Sequence, residues 1–182
     1  MIFPEKEIVL KDGRKCVLRP AVPDDAEALI EYMKVTAGQT HFLMRYPDEV
    51  KFTVEKEKEL LSGILEDNRS VMMAAAINGR LAGICSFGGA GNKRKLLHRC
   101  DMAIALYREF HRLGIGAAMI GYMTELARQA GFEQMDLEVY EDNAPGIALY
   151  RKCGFTETGR RHNAVKLDDG SYRDYIIMYK PL

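Results

Sequence analysis

Apolar residues at Ile115, Ala118, Met119, Tyr122, Met123, Leu126 and Ala130 recur three and four positions apart, the period of one helix face. The spacing predicts an amphipathic helix, which Gly131 stops. Before it, Asp101 to Tyr107 alternates as a strand does, and Gly114 and Gly116 fall where strand gives way to helix. Downstream, Met135, Leu137 and Val139 alternate with Asp136, Glu138 and Tyr140, which predicts a strand over Gln134 to Tyr140. The turn Glu141-Asp142-Asn143 then offers Asn143 as an N-cap. Pro145 follows in a first turn, where a missing N–H does no harm, and Gly154 ends a short helix at Cys153.

The first half reads differently. Glu7–Leu10 and Lys15–Arg19 are short strands around the turn Lys11-Asp12-Gly13-Arg14. Pro23-Asp24-Asp25 starts a helix to about Val35, with Ala26, Leu29, Ile30 and Met33 on one face. A second helix spans roughly Val54 to Leu65. Val71–Ile77 and Leu81–Phe87 flank Asn78-Gly79 as a hairpin. Gly88 to Lys95 reads as a flexible basic loop leading into Leu97–Tyr107. Near the C-terminus, Asp168-Asp169-Gly170 is a hairpin turn before a last strand, Tyr172–Tyr179. Antiparallel strands followed by strand–helix–strand–helix predict an α/β fold in one domain over residues 1–182, a mixed sheet with helices on both faces.

Composition narrows the function. The 26 basic residues balance 26 acidic ones, so no global field draws nucleic acid, and Lys93-Arg94-Lys95 is a short run of the solvated-loop kind. No apolar run approaches membrane length, and the opening residues do not form a signal peptide. Cys16, Cys85, Cys100 and Cys153 lie far apart without a Cys-x-x-Cys pair, so reduced thiols in the cytoplasm are expected. His41, His98, His111 and His162 are isolated from one another, and no metal site is expected.

A glycine turn that opens a helix presents free backbone N–H groups and the positive end of the helix dipole, which together favour a phosphate or pyrophosphate. The Walker spacing and the three-glycine dinucleotide fingerprint are both absent. The run His111-Arg112-Leu113-Gly114-Ile115-Gly116, followed later by Asn143-Ala144-Pro145-Gly146-Ile147-Ala148-Leu149-Tyr150-Arg151-Lys152-Cys153-Gly154-Phe155, resembles the acetyl-coenzyme A binding core of the GCN5-related N-acetyltransferases (GNAT). In motif it is nearest to the ribosomal-protein N-terminal acetyltransferase branch. His111 departs from the Gln or Arg usual at its position, a loss of about 1 kcal/mol if a charge-assisted contact is missing.

The resemblance implies the acyl-CoA N-acyltransferase fold, a mostly antiparallel sheet with a central parallel pair. It implies acetyl-CoA as co-substrate and direct transfer of its acetyl group to a primary amine. The backbone of Ala105, Leu106 and Tyr107 would meet the acetyl and pantetheine end. Leu113, Gly114, Ile115, Gly116, Ala117 and Ala118 would wrap the pyrophosphate, His111 and Arg112 would belong to the cofactor site beside them, and the Asn143 side chain would touch the coenzyme. Tyr150 would be the general acid beside the sulfur. Glu138, on the polar side of its strand, would be the general base, with Glu141, Asp142 or a water in reserve. A non-catalytic acyl-CoA sensor or scaffold is the rival reading, and a homodimer is open as the assembly.

In such a fold the amine enters opposite the coenzyme, so its walls are expected from Thr36 to Thr53 and from Arg160 to Asp174. Asp48 and Glu49 could attract a cation there, while Phe42, Leu43 and Met44 are expected to pack in the core. The acceptor class is then a small primary amine or a peptide N-terminus.

Overall fold

In a computed structural model, residues 1–182 build one eight-stranded sheet and four α-helices. In chain order these are β1 (Lys6–Val9), β2 (Lys15–Pro20), α1 (Ala26–Gln39), α2 (Val54–Glu66), β3 (Ser70–Ile77), β4 (Arg80–Gly89) and β5 (Arg99–Leu106). Then come α3 (Ile115–Gln129), β6 (Gln134–Tyr140), α4 (Ala144–Lys152), β7 (Thr156–Lys166) and β8 (Tyr172–Pro181). The sheet runs β1-β2-β3-β4-β5-β6-β8-β7, and every neighbouring pair is antiparallel except β5–β6. That parallel pair follows from the crossover through α3, since two parallel strands cannot be joined by a tight turn.

Strand alternation divides the helices between two faces. Ile84 and Ser86 of β4 and Ala103 and Ala105 of β5 meet Tyr32, Met33 and Thr36 of α1. On the other face, Ile104 and Leu106 approach Gly116 at the start of α3, together with Leu149 of α4. The core joins both layers, with Leu18, Met73, Met119, Met123, Met135 and Met178 fully enclosed.

Several boundaries differ from the sequence reading. The first helix runs four residues past Val35, to Gln39. Thr36 and Ala37 continue its buried face, and Thr36 settles its hydroxyl on the Tyr32 carbonyl (2.7 Å), so nothing local stops it. A short 3-10 turn at Pro23–Asp25 precedes it. The segment after Gly88 is not all loop: β4 reaches Gly89, and Arg94–Leu96 forms a 3-10 turn. Strand β7 carries almost no buried side chain, being an edge strand, and so left no apolar alternation to read.

The feature that shapes the site is where β5 and β6 part. They pair only through Arg99↔Gln134, Cys100↔Met135 and Asp101↔Asp136. Beyond that β5 follows β4 and β6 follows β8, each along a longer antiparallel ladder. The last joined pair is braced from the side. Asp136, 7% exposed, accepts from Arg99 Nε at 2.7 Å and from Gln134 Nε2 at 2.7 Å.

Replacing Asp136 by Ala strands the inner end of Arg99 and removes both bonds at the apex. We expect a loss of about 1–3 kcal/mol, read as a lower urea midpoint with an unchanged m-value. An unchanged midpoint would show that the brace contributes nothing to the closed end of the gap.

Candidate active site

The gap between β5 and β6 has a defined chemistry because the backbone polarity of each wall is fixed by register. Tyr107 N–H donates to the Ala82 carbonyl (3.0 Å), and Ala90 N–H donates to that of Arg99 (3.0 Å). Odd-numbered residues of β5 therefore turn their amide groups to β4, and the even-numbered Met102, Ile104 and Leu106 turn theirs into the gap. On the facing wall, Glu141 N–H donates to the Asp174 carbonyl (3.1 Å), which turns the Glu138 amide groups into the gap. Of the three β5 positions expected to meet a pantetheine arm, only Leu106 presents its backbone there. Ala105 and Tyr107 face β4, and Ile104 is the edge residue the sequence reading missed. Strand parity was the missing signal, since it depends on the register with β4. Ala105 is held in another way: Tyr32 Oη donates to its carbonyl at 2.6 Å.

At one end of the gap lies the glycine turn. Gly114 is the N-cap of α3 with φ +96°, in the left-handed region where a side chain would be strained, and Arg112 before it has φ +65°. No side chain caps this helix, so the N–H groups of Ile115, Gly116 and Ala117 have no partner inside it. Gly116 has a packing reason to be glycine. A Cβ would stand 3.0 Å from Leu149 Cδ2, so α3 and α4 touch here. Leu113 lends its carbonyl to Lys11 N–H (3.2 Å), and Ile115 sits in the core. Ala117 and Ala118 are half-buried. His111 is exposed, with Nε2 3.1 Å from the Leu106 carbonyl. It thus sits at the mouth of the gap.

Helix α4 carries the next two candidates. Asn143 Oδ1 accepts from Gly146 N–H (3.0 Å) as the N-cap, which leaves its Nδ2 free to donate. The Tyr150 ring is buried beside Phe155, centroids 5.9 Å apart, and burial pushes its phenol well above the ordinary tyrosine range. No enclosed side-chain nitrogen or oxygen lacks a partner, yet the Tyr150 hydroxyl bonds to nothing in the chain. Its oxygen is therefore not fully enclosed.

Glu138 lies on the opposite face of the sheet from Tyr150. The pairing Asp101↔Asp136 puts the side chains of Asp136, Glu138 and Tyr140 on the α1 side with Ala103 and Ala105. Its carboxylate is held by Arg161 in two contacts, 2.6 and 3.0 Å. Glu141 is engaged by Arg160 at 2.7 Å and by Asp174 N–H at 3.2 Å. Asp142 meets His41 Nε2 at 2.8 Å and Arg173 Nε at 3.3 Å.

Two cavities open on this α1 face. One, of about 280 Å³, runs between α1 and the β4–β5 ladder. The other, about 600 Å³, is bounded by residues 37–47, by Tyr140 and by Val165, Lys166 and Leu167 of the β7–β8 hairpin. They share Ala37, Leu43, Met44 and Arg45. The two segments expected to wall an acceptor site thus do meet. Tyr46 Oη accepts from Asp168 N–H at 2.9 Å, and the His41–Asp142 bond ties the same segment to the end of β6. Phe42 packs on His41 and Tyr140, whereas Met44 is 67% exposed on the cavity wall and not in the core. Asp48 and Glu49 line neither cavity, because Glu49 turns back to accept from Tyr46 N–H (2.8 Å). No group of three His, Cys, Asp or Glu is placed to hold a metal, and the four cysteines are free. No helix is long and apolar enough to cross a membrane.

Comparisons with known proteins agree with this geometry. The chain is 35% identical over 79 residues to the [ribosomal protein bS18]-alanine N-acetyltransferase of Escherichia coli K12, covering 43% of this chain and 53% of that enzyme. It therefore spans about half the length of the relatives of this kind that it matches. Among solved structures, a GNAT-family acetyltransferase from Streptococcus pneumoniae superposes with a TM-score of 0.87 at 24% identity, over 92% of this chain and 99% of that one. A second, yncA of Salmonella typhimurium, a putative acetyltransferase solved with its cofactor acetyl-CoA, gives 0.80 at 18% identity over 92% and 94%. These two establish the fold. Residues 35–155, most of the chain including both glycine-bearing motifs, match the model of the acetyltransferase (GNAT) family, and the chain belongs to that family.

Proposed function

We propose that the chain is a single-domain N-acetyltransferase that moves the acetyl group of acetyl-CoA to a primary amine by direct transfer. One observation carries the reading. The β5–β6 pairing ends after three residues, with an uncapped helix N-terminus and a free phenol on one face of the sheet and a walled cavity on the other, an arrangement that supports passage through the gap. The family membership, and the N-acetyltransferase named among the relatives, support the same chemistry.

The residues fit the co-substrate. The free N–H groups of Ile115, Gly116 and Ala117 suit a pyrophosphate, and the backbone edges of Ile104 and Leu106 suit an amide-bearing arm such as pantetheine. Asn143 Nδ2 is available to donate to the same arm. What acetyl-CoA supplies is an activated thioester; the chain has to position it and handle two protons. A free alkylamine has a pKa near about 10.4, so the acceptor arrives mostly protonated and must lose a proton before it attacks. Glu138 is the proton acceptor in this reading, on the acceptor face and across the gap from Ile104. Tyr150 is the donor to the departing thiolate, and its raised pKa keeps the hydroxyl protonated while the thioester is intact. Arg161 holds the Glu138 carboxylate in place through two contacts. We place the protein in the cytoplasm with reduced cysteines, in keeping with four free thiols of which three are buried.

Acetyl-CoA at 100 times its dissociation constant should raise stability by about 2.7 kcal/mol, read as a higher melting temperature. The variant Ala117→Glu tests the site without harming the fold. A Glu at the third helical position favours the helix and reaches back to its N-cap amide, which places a carboxylate where the pyrophosphate would lie. The free variant should melt no lower than wild type, and the gain from acetyl-CoA should vanish. A folded wild type that acetyl-CoA leaves unmoved refutes the proposal.

Tyr150→Phe keeps the ring packing and removes the proton donor. It should lower kcat by about 10-fold or more with coenzyme stabilisation retained, and Glu138→Gln should do the same. Stabilisation by acetyl-CoA with no acceptor-dependent thiol release in the wild type would favour a non-catalytic binder. Full turnover in both variants would assign the proton steps to other groups.

A further inference from the structure

The larger cavity on the α1 face has an unusual charge balance. It is lined by Arg45 and Lys166, and by no Asp or Glu. The carboxylates at the end of β6 already have cations: Glu138 has Arg161, Glu141 has Arg160, and Asp142 has His41 and Arg173. Arg45 and Lys166 have no carboxylate within ion-pair distance. Arg45 lies over the Phe52 ring (5.3 Å), and Lys166 lies over Tyr172 (5.6 Å). The carboxylate whose field Arg45 does feel, Glu57 of α2, is buried and lines neither cavity. The hairpin residue Asp168 does not line the cavity; its amide donates to Tyr46 Oη at the rim.

We infer that the acceptor carries a carboxylate in addition to its reacting amine, an inference that rests on the acetyltransferase reading. The amine lies at the gap near Tyr140 and Glu138, and the carboxylate lies toward Arg45 and Lys166 at the far wall. A cavity of about 600 Å³ holds a molecule of amino-acid to small-peptide size. The same charge pattern works against a polyamine, since two fixed cations at close range repel a second ammonium. The shared chemistry has two sources, a free amino acid or a peptide N-terminus with an acidic side chain in its first residues.

The test compares matched acceptors by acetyl-CoA-dependent thiol release. The panel holds free amino acids, the same amino acids as amides, C-terminally amidated tripeptides with acidic or neutral second residues, and spermidine. Acceptors with a carboxylate should exceed their amides in kcat/KM by about 10-fold or more, the scale of one charge-assisted contact. The free amino acids lead if the source is a small molecule, and the acidic tripeptides lead if it is a peptide. Lys166→Gln and Arg45→Gln should raise KM for the carboxylate-bearing acceptor and leave its amide little changed, with kcat nearly constant. The contrast is also read without turnover, as stabilisation of the coenzyme A complex by N-acetylated amino acids over their amides. Equal use of acid and amide, or a preference for spermidine, overturns this inference while acetyl-CoA stabilisation keeps the enzyme reading standing. Loss of that stabilisation in the wild type brings down both.

Discussion

The parting of β5 from β6 is the constraint on which the rest of the molecule depends. Two parallel strands joined by α3 hold together for three residue pairs, and then each obeys its stronger antiparallel neighbour. A sheet interior would normally pair every amide, because an unmade bond costs far more than a made one gains. Here the N–H and C=O groups of Ile104 and Glu138 and the N–H of Leu106 are left facing the gap, while the Leu106 carbonyl meets His111. Such groups are satisfied by water or by a ligand that runs along the strands. The fold thus holds a strand-shaped vacancy between two rigid halves, and α3 and α4 close one side of it through the Gly116–Leu149 contact.

The two faces of this gap differ in electrostatic character. On the α3 side the fixed positive end of a helix meets backbone donors, a setting for phosphate. On the α1 side the charges belong to long side chains, and they are arranged in pairs that span the strands: Glu138 with Arg161, Asp142 with His41 and Arg173. Several of these pairs are half-exposed and add little stability. Their effect is geometric, because they hold the β7–β8 hairpin and the α1–α2 segment over the end of β6. The larger cavity on this face is framed by these ties.

Much of this was legible in the sequence, and the reasons for the misses are physical. The helix α3, the strand β6 and the N-cap at Asn143 were readable because local rules govern them: apolar period, alternation, and a side chain bonding three residues on. The glycine turn was readable because a left-handed φ and a close helix contact both demand glycine. The backbone of Ala105 and Tyr107 turns to β4 and not to the gap, because the edge a residue presents depends on its strand parity against β4. No single-strand pattern carries that information. The His41–Asp142 bond joins residues 101 apart, and the Arg161–Glu138 pair crosses from an edge strand that has no apolar rhythm at all. The acidic pair Asp48-Glu49 misled because a carboxylate near a site in sequence can turn inward to serve its own backbone.

Tyr150 shows how packing and chemistry become one requirement. Its ring lies in the core against Phe155, in a short helix that Asn143 starts and Gly154 ends, so the phenol has little freedom to move. A buried hydroxyl without a partner would be a net loss to the fold. The fold tolerates this one because its oxygen is not fully enclosed. The same burial raises the phenol's pKa, which makes it a poor acid toward water at neutral pH. In the proposed reaction the same poor hydration also makes the thiolate formed beside it more basic, which offsets part of that cost. The proton is then held until a thiolate forms within reach, so transfer is coupled to departure of the leaving group. A more exposed tyrosine would gain hydration and lose both its fixed position and this selectivity.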